Sequence, residues 1–163
     1  MRMQVFIVNV DRYKEEQIRG AWFEPPIDFE KMKERIGLDD EYEEYAIFEY
    51  DLPFDIEETT PVSEINRICK AIGDIEGSPL YDTLSEVQRQ WFGSIEKLIE
   101  HMDEIIFYPN SESMIDVAKI FIEESVDIPP RLQEYMDYEA YGHYLEATGN
   151  FMMTSRGIFE YEQ

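Results

Sequence analysis

Hydrophobic residues near the start of the chain fall in three short runs that are rich in β-branched and aromatic side chains. The runs are residues 5–10 (VFIVNV), 21–24 (AWFE) and 44–50 (EYAIFEY). Residues of these types favour β-strands, so the pattern predicts three strands. Between the second and third runs, Asp28 is a suitable N-cap for a short helix that reaches Ile36 and ends at Gly37.

In the middle of the chain the apolar residues recur at the three- and four-residue spacing of helices. Thr60 followed by Pro61 is a helix start, and Ser78 with Pro79 and then Ser94 mark two further starts. The apolar faces of the three predicted helices are, in order, Ile65, Ile68, Cys69 and Ile72; Leu80, Leu84, Val87 and Trp91; and Ile95, Leu98, Ile99 and Met102. The middle piece is therefore predicted to be helical.

The last third mixes strand and helix patterns. Strands are predicted at residues 105–108 (IIFY), 150–155 (NFMMTS) and 157–161 (GIFEY). A predicted helix over residues 112–124 has a buried stripe and an opposite, charged row. The stripe is Met114, Val117, Ala118 and Phe121, and the row is Glu112, Asp116, Lys119 and Glu123. The whole chain is therefore predicted to be an α+β protein in three pieces.

The charge of the chain is large and is concentrated in two blocks. Acidic residues number 37 against 14 basic ones, for a formal net charge of −23. Residues 36–66 hold eleven acids and no base, and residues 101–163 carry a net charge of −10. Because hydrophobic residues make up 44% of the chain and aromatic residues are plentiful, we interpret it as folded rather than as a disordered acidic tail.

The composition also excludes several classes of protein. The apolar stretch at the start of the sequence, residues 1–10 (MRMQVFIVNV), is too short and too closely flanked by polar residues for a signal peptide. No apolar run reaches membrane-spanning length. A single cysteine cannot form an internal disulfide, which favours a cytoplasmic location. An anionic surface is repelled by nucleic acid and by anionic membranes, so neither is an expected partner. The expected partner is a basic protein surface.

No pattern of catalytic or cofactor-binding residues stands out. The two histidines, His101 and His143, belong to no HExxH motif, and Cys69 lies on an apolar helix face. His143 lies between Glu139 and Glu146 on a helix face, which is typical of a surface histidine. There is no glycine-rich phosphate loop and no GxSxG motif, and DDEYEE lacks the spacing of a calcium loop. We therefore predict a protein that is not an enzyme and has no cofactor or dedicated metal site, although weak divalent-ion binding to the acids stays open.

The carboxylates themselves are then the candidate functional groups. DNA presents one negative charge per about 1.7 Å of its axis, and carboxylates can accept the charge-assisted hydrogen bonds that arginine donates to phosphate. Residues 37–60 contain ten acids with aromatic residues among them, which we expect to anchor the backbone and hold the acids at fixed distances. The candidate DNA-mimic surface comprises Asp39, Asp40, Glu41, Glu43, Glu44, Glu49, Asp51, Asp55, Glu57, Glu58, Glu112, Asp116, Glu123, Glu124, Asp127, Glu134, Asp137, Glu139 and Glu146.

Four segments of the chain resemble the ArdA antirestriction proteins. They read GAWFEPPIDFE, IGLDDEYEEYAIFEYDLPF, IPPRLQEYMDYEAYGHYLE and GIFE, and the second and third are the most specific. The resemblance implies an elongated homodimer of three-domain chains that imitates bent B-form DNA. It further implies that the gene is carried by mobile elements such as plasmids and conjugative transposons, and that the protein is located in the cytoplasm of a bacterial host cell. The implied partner is the DNA-binding groove of the specificity and methyltransferase subunits of type I restriction–modification enzymes, with restriction inhibited and often modification too.

The resemblance also implies domain bounds and a motif. The domains are expected at residues 1–60, 61–103 and 104–163, with the dimer contact in the last. The segment that matches the family's antirestriction motif contains Leu132, Tyr135, Asp137, Tyr138, Tyr141, Gly142 and Leu145. Tyr138, Tyr141 and Leu145 fall on one helix face, and we expect them to fill the core of their own domain rather than the dimer contact. His143 stands where arginine is common in the family.

Two other functions stay open on the sequence. One is an acidic binding protein for another basic partner, such as a histone-like or nucleoid protein. The other is a carboxylate-dependent hydrolase that uses a divalent metal, which would need two or three acids converging in a cleft. A DNA mimic needs many exposed acids instead, so the positions of the carboxylates distinguish the two.

Overall fold

A computed structural model describes residues 2–162 and divides the chain into two compact units, residues 1–99 and residues 100–163. Both units combine helices with a small antiparallel sheet, which confirms the predicted α+β class. The first unit contains both the predicted N-terminal piece and the predicted helical piece, and the three-domain organisation stays a prediction. Within residues 2–162 no helix combines the length and the apolar composition that crossing a membrane requires.

The first unit begins with a three-stranded sheet in the order β2-β1-β3. Its elements are β1 (Gln4–Asn9), α1 (Val10–Lys14), β2 (Gly20–Phe23), α2 (Phe29–Ile36) and β3 (Tyr45–Asp51). The three predicted strands are confirmed to within a residue at each end. The predicted helix is confirmed too, because Asp28 caps it and Gly37 ends it in the left-handed conformation at φ 73°. Helix α1 was not predicted.

A β-bulge interrupts the pairing of β1 with β3. Phe6 pairs with Glu49, whereas the next residue of β1, Ile7, pairs with Ile47. Phe48 and Glu49 therefore lie together opposite Phe6, and both are exposed. The bulge brings an aromatic ring and a carboxylate to the same face of the sheet.

The helical part of the first unit is built on α3, whose apolar face is buried as predicted. The helices are α3 (Val62–Gly73), α4 (Pro79–Asp82), α5 (Leu84–Val87) and α6 (Ile95–Glu100). The second predicted helix is wrong as a continuous helix, because it breaks at Thr83 and ends in a π-helical turn, Gln88–Phe92. In that turn the Gly93 N–H donates to the Gln88 carbonyl at 2.7 Å, which adds a residue to the turn. Phe92 is consequently buried, and Trp91, which the helical spacing placed on the apolar face, is half-buried.

The second unit packs two helices on a sheet in the order β4-β6-β5. Its elements are β4 (Ile105–Pro109), α7 (Met114–Glu124), α8 (Pro130–Gln133), α9 (Tyr138–Thr148), β5 (Phe151–Thr154) and β6 (Gly157–Tyr161). The stripe of α7 is confirmed except at Phe121, which is half-buried, and Ile122 is buried as well. Tyr138, Tyr141 and Leu145 pack into this core, as predicted.

Helices α7 and α9 approach each other closely at Gly142. A Cβ atom added at Gly142 would lie 2.9 Å from the carbonyl oxygen of Met114, which is a backbone atom that cannot rotate away. Gly73 is the last residue of α3, and a Cβ atom added there would meet no neighbouring side chain or backbone within 4 Å. The two glycines therefore offer a matched pair for a packing test.

We expect Gly142→Ala to lower the free energy of unfolding by about 1–3 kcal/mol, because the helices must separate to accept the methyl group. Gly73→Ala should be neutral or stabilising by up to ~1 kcal/mol, since alanine is the better helix former. Urea unfolding followed by circular dichroism measures both. Equal effects of the two substitutions would contradict the close approach of α7 and α9.

Candidate acidic interface

The carboxylates of the chain all lie at its surface. All 37 fall within the described residues, and none of them is buried. Every member of the candidate DNA-mimic surface is exposed except Asp55 and Asp116, which are half-buried. The acids are thus displayed outward, as charged groups that lack buried partners must be.

We call residues 37–60 the acidic segment. Its first part, residues 37–44, is a loop that is held by hydrogen bonds of Asp39. The Oδ1 atom of Asp39 accepts hydrogen bonds from the backbone N–H groups of Glu41 and Tyr42, both at 2.9 Å. The Asp39 N–H in turn donates to the Tyr42 carbonyl at 3.0 Å. These bonds from Tyr42 and Glu41, helped by the charge of Arg12, lower the pKa of the Asp39 carboxyl.

Arg12, on helix α1, holds this loop in place. Its Nε donates to the Gly37 carbonyl at 3.1 Å, and its guanidinium carbon lies 4.3 Å from the centre of the Tyr42 ring. Its Nη2 lies 3.7 Å from the Asp39 carboxylate. One arginine thus contacts a carbonyl, an aromatic ring and a carboxylate at once.

Other side chains on α1 or at its ends form hydrogen bonds with both ends of the loop. Asn9, which is buried, donates its Nδ2 protons to the carbonyls of Ile36 and Gly37, both at 3.1 Å. At the other end the Glu44 N–H donates to the Asp11 carboxylate at 3.0 Å. The Tyr42 hydroxyl donates to Glu15 at 2.9 Å, and this bond raises the pKa of Tyr42. The acids of the loop therefore project from a backbone that is fixed at both ends.

The second part of the acidic segment, residues 45–60, is hydrogen-bonded to helix α3 and to the π-helical turn. Tyr45 accepts a hydrogen bond from the Val62 N–H at 3.0 Å, and Phe54 is buried. Gln88, also buried, accepts from the Asp55 N–H and donates to its carbonyl, both at 3.0 Å. Tyr42, Tyr45 and Phe54 thus hold the backbone in the way predicted for the aromatic residues. Phe48 and Tyr50 are 45% and 39% exposed; the Phe48 ring contacts the Tyr13 ring, and the Tyr50 hydroxyl donates to Asp55 at 3.5 Å.

Basic side chains from outside residues 36–66, the stretch without a base, form ion pairs with four of its acids. Arg12 pairs with Asp39, Lys14 with Glu44, Arg67 with Glu64 and Arg89 with Asp55. The Arg67 pair lowers the pKa of the Glu64 carboxyl. The remaining acids of the segment form no ion pair with any side chain of residues 2–162; they are Asp40, Glu41, Glu43, Glu49, Asp51, Glu57 and Glu58. Their charge is free to act on a partner.

In the second unit, some of the predicted acids have structural roles. Asp116 forms a capping box with Ser113, because its carboxylate accepts from the Ser113 N–H. Asp137 caps helix α9 by accepting from the Ala140 N–H at 3.0 Å. Glu139 and Glu146 lie about two turns apart on α9, with His143 between them, beside a cavity of about 250 Å³.

The antirestriction-motif segment contains two kinds of residue. Tyr138, Tyr141, Gly142 and Leu145 are used in packing, and the Tyr138 hydroxyl donates to the Gln133 carbonyl at 2.6 Å. Leu132 and Tyr135 are exposed instead, Tyr135 by 78%. Tyr144, which the sequence analysis did not single out, is 61% exposed and stacks on Tyr141.

The cavities of the first unit differ in how many acids line them. A small one, of about 80 Å³, is bordered by three, Asp55, Glu57 and Glu96. Another, of about 590 Å³, is lined by Arg2, Arg67, Lys70 and one carboxylate, Glu24. Cys69 borders it, and burial raises the pKa of that thiol to about 11. Within residues 2–162, no three side chains of the metal-binding types come together in a way that could hold an ion.

Exposed carboxylates held on a fixed backbone are characteristic of a binding protein that recognises basic surfaces. The family model described as Antirestriction protein (ArdA) matches residues 5–160, so the chain belongs to the ArdA family. This family consists of antirestriction inhibitors, which counteract restriction enzymes. A search of curated proteins found no significant match.

The pKa of Asp39 tests the geometry of the loop. NMR of its side-chain carboxyl from about pH 2 to 6 should give a value below the ordinary 3.8, because two backbone N–H groups bind the charged form. Since the folded pKa is lowered, the stabilisation is present above the unfolded value of about 3.9 and is lost as the pH falls through the folded value.

Arg12→Ala supplies the control for this titration. Most of the lowering should persist in that variant, because the Tyr42 and Glu41 N–H groups are its larger causes. A wild-type pKa of 3.8 or more, or complete loss of the lowering in the variant, would show that the loop is held differently.

Proposed function

We propose that this protein inhibits type I restriction–modification enzymes by imitating B-form DNA with its surface carboxylates and occupying their DNA-binding groove. Restriction is blocked, and modification is blocked with it, because both activities use that groove. The observation that carries the proposal is the exposure of the carboxylates, of which none is buried. The membership of the ArdA family supports the antirestriction role.

The amount of charge fits a segment of duplex. At one charge per about 1.7 Å of axis, a net charge of −23 corresponds to on the order of 40 Å of B-form DNA. Arginine and lysine side chains that bind phosphate oxygens can donate to carboxylate oxygens in the same way. The unpaired acids of residues 37–60 and the exposed acids of α7 and α9 are the groups proposed to meet them.

The alternative is an acidic protein for another basic DNA-binding partner. The exposed carboxylates suit it equally well, and the family favours a restriction enzyme instead. A metal-dependent hydrolase receives no support from residues 2–162, since no three of their His, Cys, Asp and Glu side chains come together in a way that could hold an ion.

We further propose that the active form is a homodimer that pairs through the second unit. Two chains together carry a net charge of −46, which corresponds to about 80 Å of duplex. Exposed apolar residues of the second unit support pairing there; they are Ile115, Val126, Leu132, Tyr135, Met136, Tyr144 and Met153. Two-fold pairing is the commonest way to extend a surface symmetrically.

The proposed inhibition is measured by DNA cleavage with a purified type I enzyme in the presence of this protein. We expect cleavage to stop, unmodified duplex to compete with the protein for the enzyme, and binding to weaken steeply with salt, because screening shortens to ~3 Å at 1 M. Simultaneous binding of duplex and protein to the enzyme would contradict the mimicry.

Two variants with equal charge changes separate the position of the acids from net charge. Changing Asp39, Asp40, Glu41, Glu43 and Glu44 to their amides should weaken binding by about 1–5 kcal/mol in all, at ~0.2–1 kcal/mol per exposed pair. Amide changes at Glu16, Glu30, Glu34, Asp74 and Glu86, which are exposed but lie outside both acidic blocks, should have a smaller effect. Glu43→Gln alone should matter little, and loss of all activity in that variant would favour a catalytic carboxylate.

Light scattering at micromolar concentration tests the dimer. We expect the mass of two chains, and we expect Tyr135→Ser with Tyr144→Ser to shift the equilibrium towards single chains, because both side chains are exposed and apolar. Trp22→Ser, in the first unit, should leave the mass unchanged. A single chain that inhibits fully would rule the dimer out.

A further inference from the structure

Four aromatic side chains cluster on one face of the first sheet. Phe6 and Trp22 pair across β1 and β2 with ring centres 5.5 Å apart, and the Tyr13 ring meets the Phe48 ring edge-on at 5.4 Å. Phe48 is the bulge residue next to the partner of Phe6, so both pairs of rings lie on the same face. We call Phe6, Tyr13, Trp22 and Phe48 the aromatic patch.

The aromatic patch shares its face of the sheet with Val8, which lies two residues from Phe6 on β1 and is 1% exposed. Val5 and Ile7 point to the opposite face, where they are fully buried. The rings of Tyr13, Trp22 and Phe48 are 48%, 44% and 45% exposed. A single exposed ring is ordinary, but a contiguous group of them is typical of an interaction site.

Carboxylates of the acidic segment lie beside the aromatic patch. Glu49 pairs with Phe6 in the sheet, and Asp51, two residues further along β3, pairs with Gln4. Side chains two residues apart on a strand share a face, so both acids lie on the face that carries the rings. Both are exposed, and neither forms an ion pair with the described basic side chains.

An aromatic ring beside a carboxylate is a site for a guanidinium group. Arginine stacks on rings and donates paired hydrogen bonds to carboxylates, and it does both better than lysine. The chain already contains one such arrangement, because Arg12 lies over Tyr42 and beside Asp39. The aromatic patch offers the same combination with no guanidinium of the described chain over its rings.

We propose that the aromatic patch, together with Glu49 and Asp51, binds an arginine side chain of the basic DNA-binding groove. This rests on the proposed function and adds to it a contact that DNA does not make, since the rings have no counterpart on a phosphate backbone. The occupant follows from charge complementarity, because the surrounding acids repel anionic partners and attract cationic ones. The contribution of the rings depends less on salt than that of the carboxylates.

Binding of a double variant, Trp22→Thr with Phe48→Thr, to the purified type I methyltransferase complex tests the proposal. Threonine favours strands and keeps the local structure. We expect the dissociation constant to rise about 3- to 30-fold at every salt concentration, with an unchanged slope against salt. The amide variant of the acidic loop should reduce that slope instead. Tyr50→Thr is the control, since Tyr50 lies on the same strand and pairs with Val5 of the core face.

The results separate this proposal from the proposed function. If the wild type neither binds the enzyme nor competes with duplex, the proposed function fails. If the wild type does both and the double variant binds equally well, the aromatic patch is not an anchor. A changed mass of the free double variant would overturn the proposal as well, because the patch would then be a contact between copies of the chain.

Trp22 fluorescence gives a readout that needs no change in the aromatic patch. With Trp91→Phe, Trp22 is the remaining tryptophan, because the chain has two. We expect its emission to shift to shorter wavelength when the enzyme is added and to return when duplex displaces the protein. An emission that stays constant on saturating binding would overturn the proposal even if the double variant failed to fold.

Discussion

Repulsion between carboxylates is the interaction that the rest of this structure has to accommodate. With a net charge of −23, the acids favour separation, and self-repulsion weakens a compact state. The fold places all of them at the surface and fastens the backbone beneath the densest group with neutral contacts: the amide of Asn9, the buried ring of Phe54 and the buried amide of Gln88. Seven of the eleven acids of residues 36–66 are therefore held on a fixed backbone without an ion pair to a described basic side chain, which is what a rigid array of charge requires.

Within residues 2–162, only four of the eleven cations of the first unit pair with acids of residues 36–66. Arg12 and Arg89 lie where the acidic loop meets α1 and where residue 55 meets the π-helical turn. Exposed ion pairs of this kind contribute little stability individually. Their larger effect is to fix geometry, because Arg12 also contacts a backbone carbonyl and a ring, and Arg89 donates to both oxygens of the Asp55 carboxylate. The central acids of the segment stay unpaired.

Charge and apolar surface act together in the proposed recognition. A surface of carboxylates alone attracts any basic protein, and its affinity falls as salt rises. Exposed rings next to acids distinguish arginine from lysine and contribute contact area that salt does not screen. In the second unit, exposed Tyr135 and Tyr144 are near exposed Glu134, Glu139 and Glu146 in the sequence. The proposed recognition therefore combines electrostatic attraction with aromatic contact.

The sequence by itself determined the features that depend on short-range rules. Strands followed from β-branched and aromatic runs, helix α2 followed from a cap at Asp28 and a left-handed glycine at position 37, and exposure of the acids followed from the cost of burying charge. The ArdA family was also recognisable from continuous segments. Tertiary structure alone decided which cations meet the acidic segment, since Arg12 and Arg89 lie 27 and 34 residues from their partners in the chain. It also decided that Phe92 rather than Trp91 is buried, because a π-helical turn adds a residue to the helical period. The bulge at Phe48 and the aromatic patch likewise depend on pairing across strands, and the chain-local pattern of one strand contains no information about the register of its neighbour.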